Sequence, residues 1–285
     1  MKYVFFGTPE FAAIVLRRLI QAGLPPIAVV ANPDRPVGRK RVLSAPPIKE
    51  LIRNLKLKNV AILQPEILDD AFRKELQAQK ADFFVVAAYA KIIPADVLSL
   101  APQGTIGVHP SLLPELRGAS PIQGAILTGA PQTGVTLYRM DERMDHGPIL
   151  AQERLESYNS VTAHYPELLR SLAALGGDMA ARLLPEFFVG RAAEIAQDHA
   201  RATITKKYKT EDAFITPENL LSAESGDTKE AEFIDRKIRA LNPEPGVWTN
   251  RDGKRVKLLG AELKNGALHL TRLQVEGKKP QDAAV

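Results

Sequence analysis

The 285-residue chain has no cysteine. A nucleophilic cysteine, a thiolate metal site and a disulfide are therefore excluded. No apolar run approaches the roughly 18 residues that a membrane span needs. No Walker loop, Gly-x-Gly-x-x-Gly or His-Glu-x-x-His motif occurs, so nucleotide hydrolysis and zinc chemistry are not indicated, and we expect no metal ion. What remains is polar acid–base chemistry, for which the chain offers five histidines.

The composition is that of an ordinary globular protein, with 45% hydrophobic and 25% charged residues. The length suits one large domain and one small one. Near the amino terminus a short apolar run ends at Gly7, which predicts a first β-strand rather than the longer apolar region of a signal peptide. With the lack of cysteine, this predicts a cytoplasmic protein with no membrane contact. We expect a monomer.

Positive charge is in modest excess, with a net charge of +5 and a pI near 9.3. Residues 201–285 hold 16 Lys and Arg against 13 Asp and Glu, so more than half of the excess lies in the last third of the chain. An anionic partner is one interpretation. A soluble protein that happens to be basic is the other, and the charge alone does not choose between them.

Short, almost continuously apolar segments alternate with helical patterns over the first part of the chain. We predict strands at residues 3–6, 26–30, 61–63, 83–87 and 105–109, and helices at 9–23, 47–56 and 69–80. Continuous apolarity is typical of parallel strands covered on both faces. The predicted fold class is therefore α/β, with a doubly wound, mostly parallel, Rossmann-like sheet. Thr8 is expected to cap the first helix, with Pro9 at its first position.

Open α/β sheets bind ligands beyond the carboxyl ends of their strands. Gly7 with Thr8, Tyr89 and His109 each end or follow a predicted strand. We therefore expect these residues to lie along one edge of the sheet, where they can contribute to one site.

The rest of the chain predicts two further strands, at residues 134–140 and 149–155, and then a helical pattern at 161–189. Gly176, Gly177 and Pro185 should bend or break that helix. We place a first domain at residues 1–189, a linker at 190–202 and a second, β-rich domain at 203–285. The second domain is predicted to contain a short helix near 229–241 and strands at 248–249, 256–259 and 268–275.

His109 begins the segment His-Pro-Ser-Leu-Leu-Pro-Glu-Leu-Arg-Gly. Its two prolines stiffen a loop whose backbone groups and leucines suit a flat heterocycle that needs hydrogen bonds and an apolar wall. Further along, Asp145 lies in Met-Asp-His-Gly-Pro-Ile-Leu. A histidine that moves a proton and an aspartate that orients it form a catalytic pair. The alternative is a structural histidine with a turn aspartate. Arg117 and Gly118 are either a helix-entry turn or a support for the 111–114 loop.

The segment from His109 to Gly118 resembles the HxSLLPxxRG signature of formyltransferases that use 10-formyltetrahydrofolate, and Asp145 stands where that family keeps its catalytic aspartate. Gly-Thr-Pro-Glu-Phe at residues 7–11 and Pro-Asp-Arg-Pro-Val-Gly-Arg-Lys at 33–40 resemble the branch of the family that formylates methionyl-tRNA. The resemblance covers nearly the whole chain. It implies an OB-like β-barrel as the second domain, with residues 242–248 similar to its entry motif. Because only residues 264–266 separate the last two strands, we expect a trimmed barrel.

The resemblance also implies an activity and its residues. The formyl group of 10-formyltetrahydrofolate, the co-substrate, would pass to the amino group of methionyl initiator tRNA, the partner. His109 and Asp145 would be catalytic. The pterin would be held by Ser111, Leu112, Leu113, Pro114, Tyr89, Ala90 and Ile92. Phosphates of the tRNA would be bound by Arg39, Lys40, Arg41, Lys206, Lys207 and Lys209. The first three lie in the 32–45 loop, for which a solvated basic flap is the alternative.

One residue departs from the family pattern. Where the family has an asparagine two positions before the histidine, this chain has Gly107. An asparagine there would donate to the formyl oxygen as negative charge builds on it, and losing such a donor costs about 100–1000-fold in rate. Either another donor compensates, or the enzyme is slow. We expect water to fill the space left by the missing side chain, and we expect Gly107→Asn to raise the rate.

Two other functions stay open. One is formyl transfer to a small amine, such as glycinamide ribonucleotide or an amino sugar nucleotide. The basic 32–45 loop and the basic second domain argue against it, because neither substrate requires them. The other is a tRNA-binding relative that has lost catalysis, for which Gly107 is the argument and against which the retained His109 and Asp145 speak.

Overall fold

The computed structural model describes residues 1–37 and 41–283. The strands within these residues, β1 to β15 in chain order, are Tyr3–Gly7, Ala28–Val30, Arg35–Val37, Val42–Ser44, Ala61–Leu63, Phe83–Ala87, Thr105–His109, Arg117–Gly118, Gly134–Arg139, Ile149–Arg154, Ile204–Thr205, Trp248–Arg251, Lys254–Lys264, Ala267–Val275 and Gln281–Asp282. The α-helices, α1 to α8, are Glu10–Gln21, Pro47–Asn54, Asp70–Ala78, Ala95–Leu98, Pro121–Thr128, Tyr165–Phe188, Pro217–Glu224 and Thr228–Leu241. Short 3-10 helices lie at His199–Arg201 and Glu211–Ala213.

The chain divides into two compact units. The first unit consists of residues 1–117, 133–156 and 169–204. The second consists of residues 118–132, 157–168 and 205–285. No helix in the described residues is long and apolar enough to cross a membrane.

The first unit contains a seven-stranded sheet in the order β10-β9-β7-β6-β1-β2-β5. The five strands from β7 to β5 are parallel, while β9 is antiparallel to both β7 and β10. The predicted mostly parallel α/β sheet is therefore confirmed. Its strands carry large side chains on both faces: Val4 and Phe6 of β1 belong to one hydrophobic cluster, and Tyr3 stacks on Phe83 at a ring separation of 5.6 Å.

Helix α1 begins one residue later than predicted. Pro9 is its N-cap, with an extended backbone and no side-chain capping bond, and the first helical residue is Glu10. Thr8 does not cap the helix, because its hydroxyl accepts a hydrogen bond from the backbone N–H of Asn32 at 3.2 Å. The hydroxyl thus ties the turn after β1 to the turn after β2.

The sequence predicted that Gly176, Gly177 and Pro185 bend or break this helix; α6 is unbroken over 24 residues, so a break is wrong. These glycines permit close packing. A Cβ at Gly176 would lie 2.9 Å from Val108 Cγ1, and a Cβ at Gly177 would lie 2.5 Å from the Cβ of Arg18. Pro185 falls in the last turn, where it does not end the helix.

The 32–45 segment, predicted to be a loop, contains the antiparallel pair β3–β4, in which Arg35 pairs with Ser44. Asp34 anchors its base by accepting hydrogen bonds from Lys49 Nζ at 2.9 Å and from Gln64. The bond from Lys49 is the main reason that the pKa of Asp34 is lowered. Gly38 and its two basic successors lie outside the described residues.

The second unit contains a four-stranded antiparallel sheet in the order β12-β13-β14-β15, and the buried face of α8 includes Ile234 and Ile238. Strands β13 and β14 are joined by Asn265 and Gly266 alone, both with positive φ, which is typical of a tight two-residue hairpin turn. This confirms the short connection. In the described residues the sheet is open, since β12 and β15 are its edges.

Candidate active site

The carboxyl ends of three neighbouring strands lie at one level of the sheet. Gly7 of β1 pairs with Ala87 of β6, and Ala87 pairs with Val108 of β7. Thr8, Tyr89 and His109 therefore lie along one edge, as the sequence predicts.

His109 is the last residue of β7 and is only 6% exposed. Its Nε2 lies 3.0 Å from the carbonyl oxygen of Leu116. Because a carbonyl only accepts hydrogen bonds, Nε2 carries a proton. The other ring nitrogen, Nδ1, faces the Asp145 carboxylate with 3.6 Å between Nδ1 and Oδ1. That distance is too long for a hydrogen bond. The two groups form an ion pair when Nδ1 carries a proton.

The two residues that face the His109 ring, Leu116 and Asp145, both have unusual backbone conformations. Leu116 has a positive φ of 56°, and its N–H donates to Thr203 Oγ1 at 2.8 Å. Asp145 has a positive φ of 52°, which aspartate tolerates better than most residues. Non-glycine residues in this region persist where the surrounding structure holds them, and they are frequent at functional sites.

Gln197 holds the Asp145 loop. Its Nε2 donates to the backbone oxygens of Asp145 at 3.0 Å and Gly147 at 2.7 Å, and its Oε1 accepts from Arg117 Nη2 at 2.6 Å. The same nitrogen of Arg117 donates to His199 Nδ1 at 2.9 Å. Arg117 lies in the short strand β8. It fixes the segment after α6, which the sequence reads as a linker, against the Asp145 loop.

His146, the neighbour of Asp145, is half-buried. Its ring stacks on that of His199 with 4.0 Å between centroids, and its Nδ1 lies 2.7 Å from Asp141 Oδ2. Burial, with the charges of His146 and Arg117 adding to it, lowers the pKa of His199. The sequence does not reveal this contact, because the two histidines come from distant segments.

The space beside Gly107 is filled by Tyr138. The two residues are directly opposite each other in the antiparallel pair β7–β9. A Cβ on Gly107 would lie 2.3 Å from Cε1 and 2.6 Å from Cζ of the Tyr138 ring. The expectation of a water-filled gap is therefore wrong, because an aromatic ring from the neighbouring strand occupies it.

The Tyr138 hydroxyl donates a hydrogen bond to Asp145 Oδ1 at 2.8 Å. This side chain is almost fully buried. Burial first, and the adjacent charge and hydrogen bond of Asp145 second, raise the pKa of Tyr138 well above its usual range, so the phenol keeps its proton. No sequence motif marks this residue, and only the strand register reveals it.

Most polar groups of the 111–114 loop bond within the protein and are not offered to a ligand. Ser111 Oγ donates to the backbone oxygen of Glu115 at 2.6 Å. The N–H of Leu113 donates to Thr136 Oγ1, and its carbonyl accepts from Gln152 Nε2. Ser111 and Leu113 are buried, whereas Leu112 and Pro114 are half-buried. The last two are therefore the loop side chains that can contact a heterocycle.

The side chains of the 89–92 segment differ in their burial. Tyr89 packs its ring edge-on against Phe6 at 5.5 Å, and burial raises the pKa of Tyr89 to about 12. Its buried hydroxyl has no hydrogen-bond partner among the described residues. Ala90 is exposed, and Ile92 is 89% exposed, which is unusual for a large apolar side chain.

The basic residues proposed for tRNA are only partly described. Arg39 and Lys40 lie outside the described residues, while Arg41 is exposed and has a positive φ. Lys206 forms an ion pair with Asp212, and Lys207 and Lys209 are exposed. In the part of the chain that the structure describes, no group of three or more His, Asp and Glu is placed to hold a metal ion.

Comparison with known proteins adds to this geometry. The family described as "Formyl transferase" matches residues 1–173, and "Formyl transferase, C-terminal domain" matches residues 228–266. The chain belongs to the formyl transferase family. The resemblance inferred from the His109 segment is thereby confirmed, and with it the class of enzyme.

A relative of known name supports the family assignment. The methionyl-tRNA formyltransferase of Anaeromyxobacter dehalogenans (strain 2CP-C) is 37% identical, over 99% of this chain and 95% of its own. The aligned stretch of 311 residues exceeds the 285 of this chain, so the relative contains segments that this chain lacks.

The solved structures support the fold alone, because their identity to the chain is low. The methionyl-tRNA formyltransferase from Clostridium thermocellum has a TM-score of 0.60 at 17% identity, covering 96% of this chain and 98% of its own. An N-formyltransferase from Helicobacter canadensis, in complex with folinic acid and dTDP-3-aminofucose, has a TM-score of 0.62 at 14% identity, covering 93% and 88%. The fold is thus shared with a methionyl-tRNA formyltransferase and with an N-formyltransferase solved in complex with a nucleotide sugar.

Proposed function

We propose that this formyltransferase moves the formyl group of 10-formyltetrahydrofolate to the amino group of methionyl initiator tRNA. The observation that carries the proposal is the buried pair of His109 and Asp145 at the carboxyl edge of the sheet. A relative named methionyl-tRNA formyltransferase, 37% identical over nearly the full length, supports the choice of acceptor. The N-formyltransferase that was solved in complex with dTDP-3-aminofucose is 14% identical.

The edge of the sheet fits a folate donor. In the described residues, two buried polar atoms there lack a partner, Tyr89 Oη and Asn32 Oδ1. One is a donor and the other an acceptor, as the polar edge of a pterin requires. The half-buried side chains of Leu112 and Pro114 supply apolar contact. Ser111 and Leu113 of the proposed set would act by shaping the loop.

The geometry of the pair suggests how the proton moves. The amine attacks the formyl carbon, a new C–N bond forms, and the bond from that carbon to the folate nitrogen breaks. The attacking amine must lose a proton and the folate nitrogen must gain one. In our proposal Asp145 accepts the amine proton, with water as the carrier. Asp145 passes this proton to Nδ1 of His109, whose positive charge stabilises the oxyanion, and His109 then gives the proton to the folate nitrogen as it leaves.

Acceptor choice can be measured directly. With 10-formyltetrahydrofolate as donor, kcat/KM for methionyl initiator tRNA should exceed that for glycinamide ribonucleotide and for an amino sugar nucleotide by at least about 100-fold. If a small amine is formylated as efficiently as the tRNA, the result would favour the alternative function, formyl transfer to a small amine. No formylation of any acceptor would favour a binding protein that has lost catalysis.

Binding of tRNA should depend on cations in two segments. We expect the triple change of Arg39, Lys40 and Arg41 to Ala to flatten the dependence of log affinity on log salt by up to about 2–3 units of slope, since each phosphate contact contributes about 0.7–0.9. The double change of Lys207 and Lys209 to Ala should flatten it by up to about 1–2 units.

The control for these variants removes charge elsewhere. Changing the exposed Lys74, in α3, and the exposed Lys80, which follows that helix, to Ala removes two positive charges outside both segments, and the salt slope should then stay close to that of the unchanged chain. If the salt slope is the same in all variants, neither segment binds tRNA phosphates, and both are solvated basic surface. Folate binding should not respond to any of them.

A further inference from the structure

We propose that Tyr138 is a positioning residue for formyl transfer, whose hydroxyl holds the Asp145 carboxylate from the space beside Gly107. The inference rests on the proposed function, because it assigns a role in that reaction. It also explains why this chain carries glycine two residues before His109.

The first argument is steric. Gly107 and Tyr138 face each other across β7 and β9, and side chains of directly opposed residues project from the same face of a sheet. With ring carbons at 2.3 and 2.6 Å from its position, a Cβ on residue 107 is incompatible with the ring. Tyrosine at 138, with its ring in this position, therefore requires glycine at 107.

The second argument concerns which group holds the carboxylate. His109 donates from Nε2 to Leu116, so in the neutral ring Nδ1 carries a lone pair and repels Asp145 Oδ1 rather than binding it. The Tyr138 hydroxyl, 2.8 Å from that oxygen, supplies a donor before any proton has moved. Tyr138 thus gives the carboxylate a hydrogen-bond donor during the part of the cycle when His109 is neutral and cannot.

The third argument is that the phenol stays a donor. Its surroundings include the negative charge of Asp141 as well as that of Asp145, with Arg117 acting in the opposite sense. Burial and the two carboxylates oppose ionisation of the hydroxyl. A protonated phenol gives a charge-assisted hydrogen bond to the carboxylate, which is stronger than a bond between neutral groups.

Tyr138→Phe tests the role, because it removes the hydroxyl and keeps the ring that fills the space beside Gly107. We expect kcat for formyl transfer to fall about 10- to 100-fold, the value of a hydrogen bond to a charged group, with KM for both substrates little changed. The matched control is Tyr3→Phe, which removes another buried hydroxyl, one bonded to the Leu24 carbonyl at 2.6 Å. It should leave kcat near that of the unchanged chain.

Each outcome decides between the two claims. If the unchanged chain transfers formyl and Tyr138→Phe has the same kcat, the positioning role is overturned while the proposed function stands. If the unchanged chain transfers no formyl group, the proposed function fails instead. If both tyrosine variants lose kcat equally, the effect is a general one of buried hydroxyls, and the role of Tyr138 is again overturned.

A second pair of variants applies if Tyr138→Phe does not fold. Tyr138→Leu empties the space, and the double variant Gly107→Asn/Tyr138→Leu places an amide donor there from the opposite strand. We expect the double variant to have a higher kcat than Tyr138→Leu alone, by about 10-fold or more. A double variant that is no faster than the single one would show that no donor is needed at this place.

Discussion

His109→Ala should lower kcat for formyl transfer by about 100- to 10,000-fold, the range that general acid–base groups contribute. The reason is that Nδ1, facing Asp145 at 3.6 Å, is the ring nitrogen placed to take and return a proton. Single-turnover formylation of methionyl-tRNA measures the effect, with folate binding as a check that the site still forms. A near-normal rate would remove His109 from the chemistry.

Asp145→Asn should have an effect of the same order. Asparagine has the size of aspartate and also tolerates positive φ, so the loop conformation is kept while the charge is lost. Tyr138 can still donate to the amide oxygen. The control is Asp141→Asn, which removes a carboxylate from the same loop, and which should change kcat by no more than a few-fold. Equal losses in both variants would indicate a general electrostatic effect of the loop rather than a specific one.

Gly107→Asn should destabilise the protein, which reverses the expectation from sequence that it would raise the rate. The new side chain meets the buried Tyr138 ring at 2.3 Å, and overpacking of this kind costs about 1–3 kcal/mol. For a unit of this size the melting temperature should fall by about 2–12 °C. Calorimetry or circular dichroism measures it.

Gly23→Asn is the matched control for that substitution. Gly23 follows α1 in the same unit, a Cβ there meets nothing within 4 Å, and its φ of 79° is one that asparagine tolerates. Its melting temperature should stay within a few degrees of the unchanged chain. If Gly107→Asn melts no lower than Gly23→Asn, the ring must be able to move aside, and the pairing of Gly107 with Tyr138 is not obligatory.

Strands of the central sheet could be predicted to the residue where a short apolar run is bounded by polar or turn residues. β5 and β6 are examples, since Ala61–Leu63 and Phe83–Ala87 contain no polar residue. The β3–β4 hairpin was missed, because its prolines and cations give no alternation of apolar and polar residues. Tight packing also misled the prediction of α6, where glycines serve a close approach of other elements rather than a break.

In the candidate site, too, some residues could be identified from the sequence and others could not. His109 could be identified because the residues that follow it in sequence carry the signal. Tyr138 could not, because its relation to Gly107 depends on the register of two antiparallel strands. Nor could Gln197, which reaches the Asp145 loop from a segment that reads as a polar linker. Residues that act through contacts across the fold leave no pattern in local sequence.

The most direct test of the account is the fate of a labelled formyl group. The unchanged chain and Asp145→Asn are mixed in separate reactions with labelled 10-formyltetrahydrofolate and methionyl initiator tRNA, and the methionine is released and identified by mass. We predict labelled N-formylmethionine from the unchanged chain within the first turnover, and at least about 100-fold slower appearance from the variant. Label that stays on the folate, or that reaches methionine equally fast in both reactions, would contradict the account.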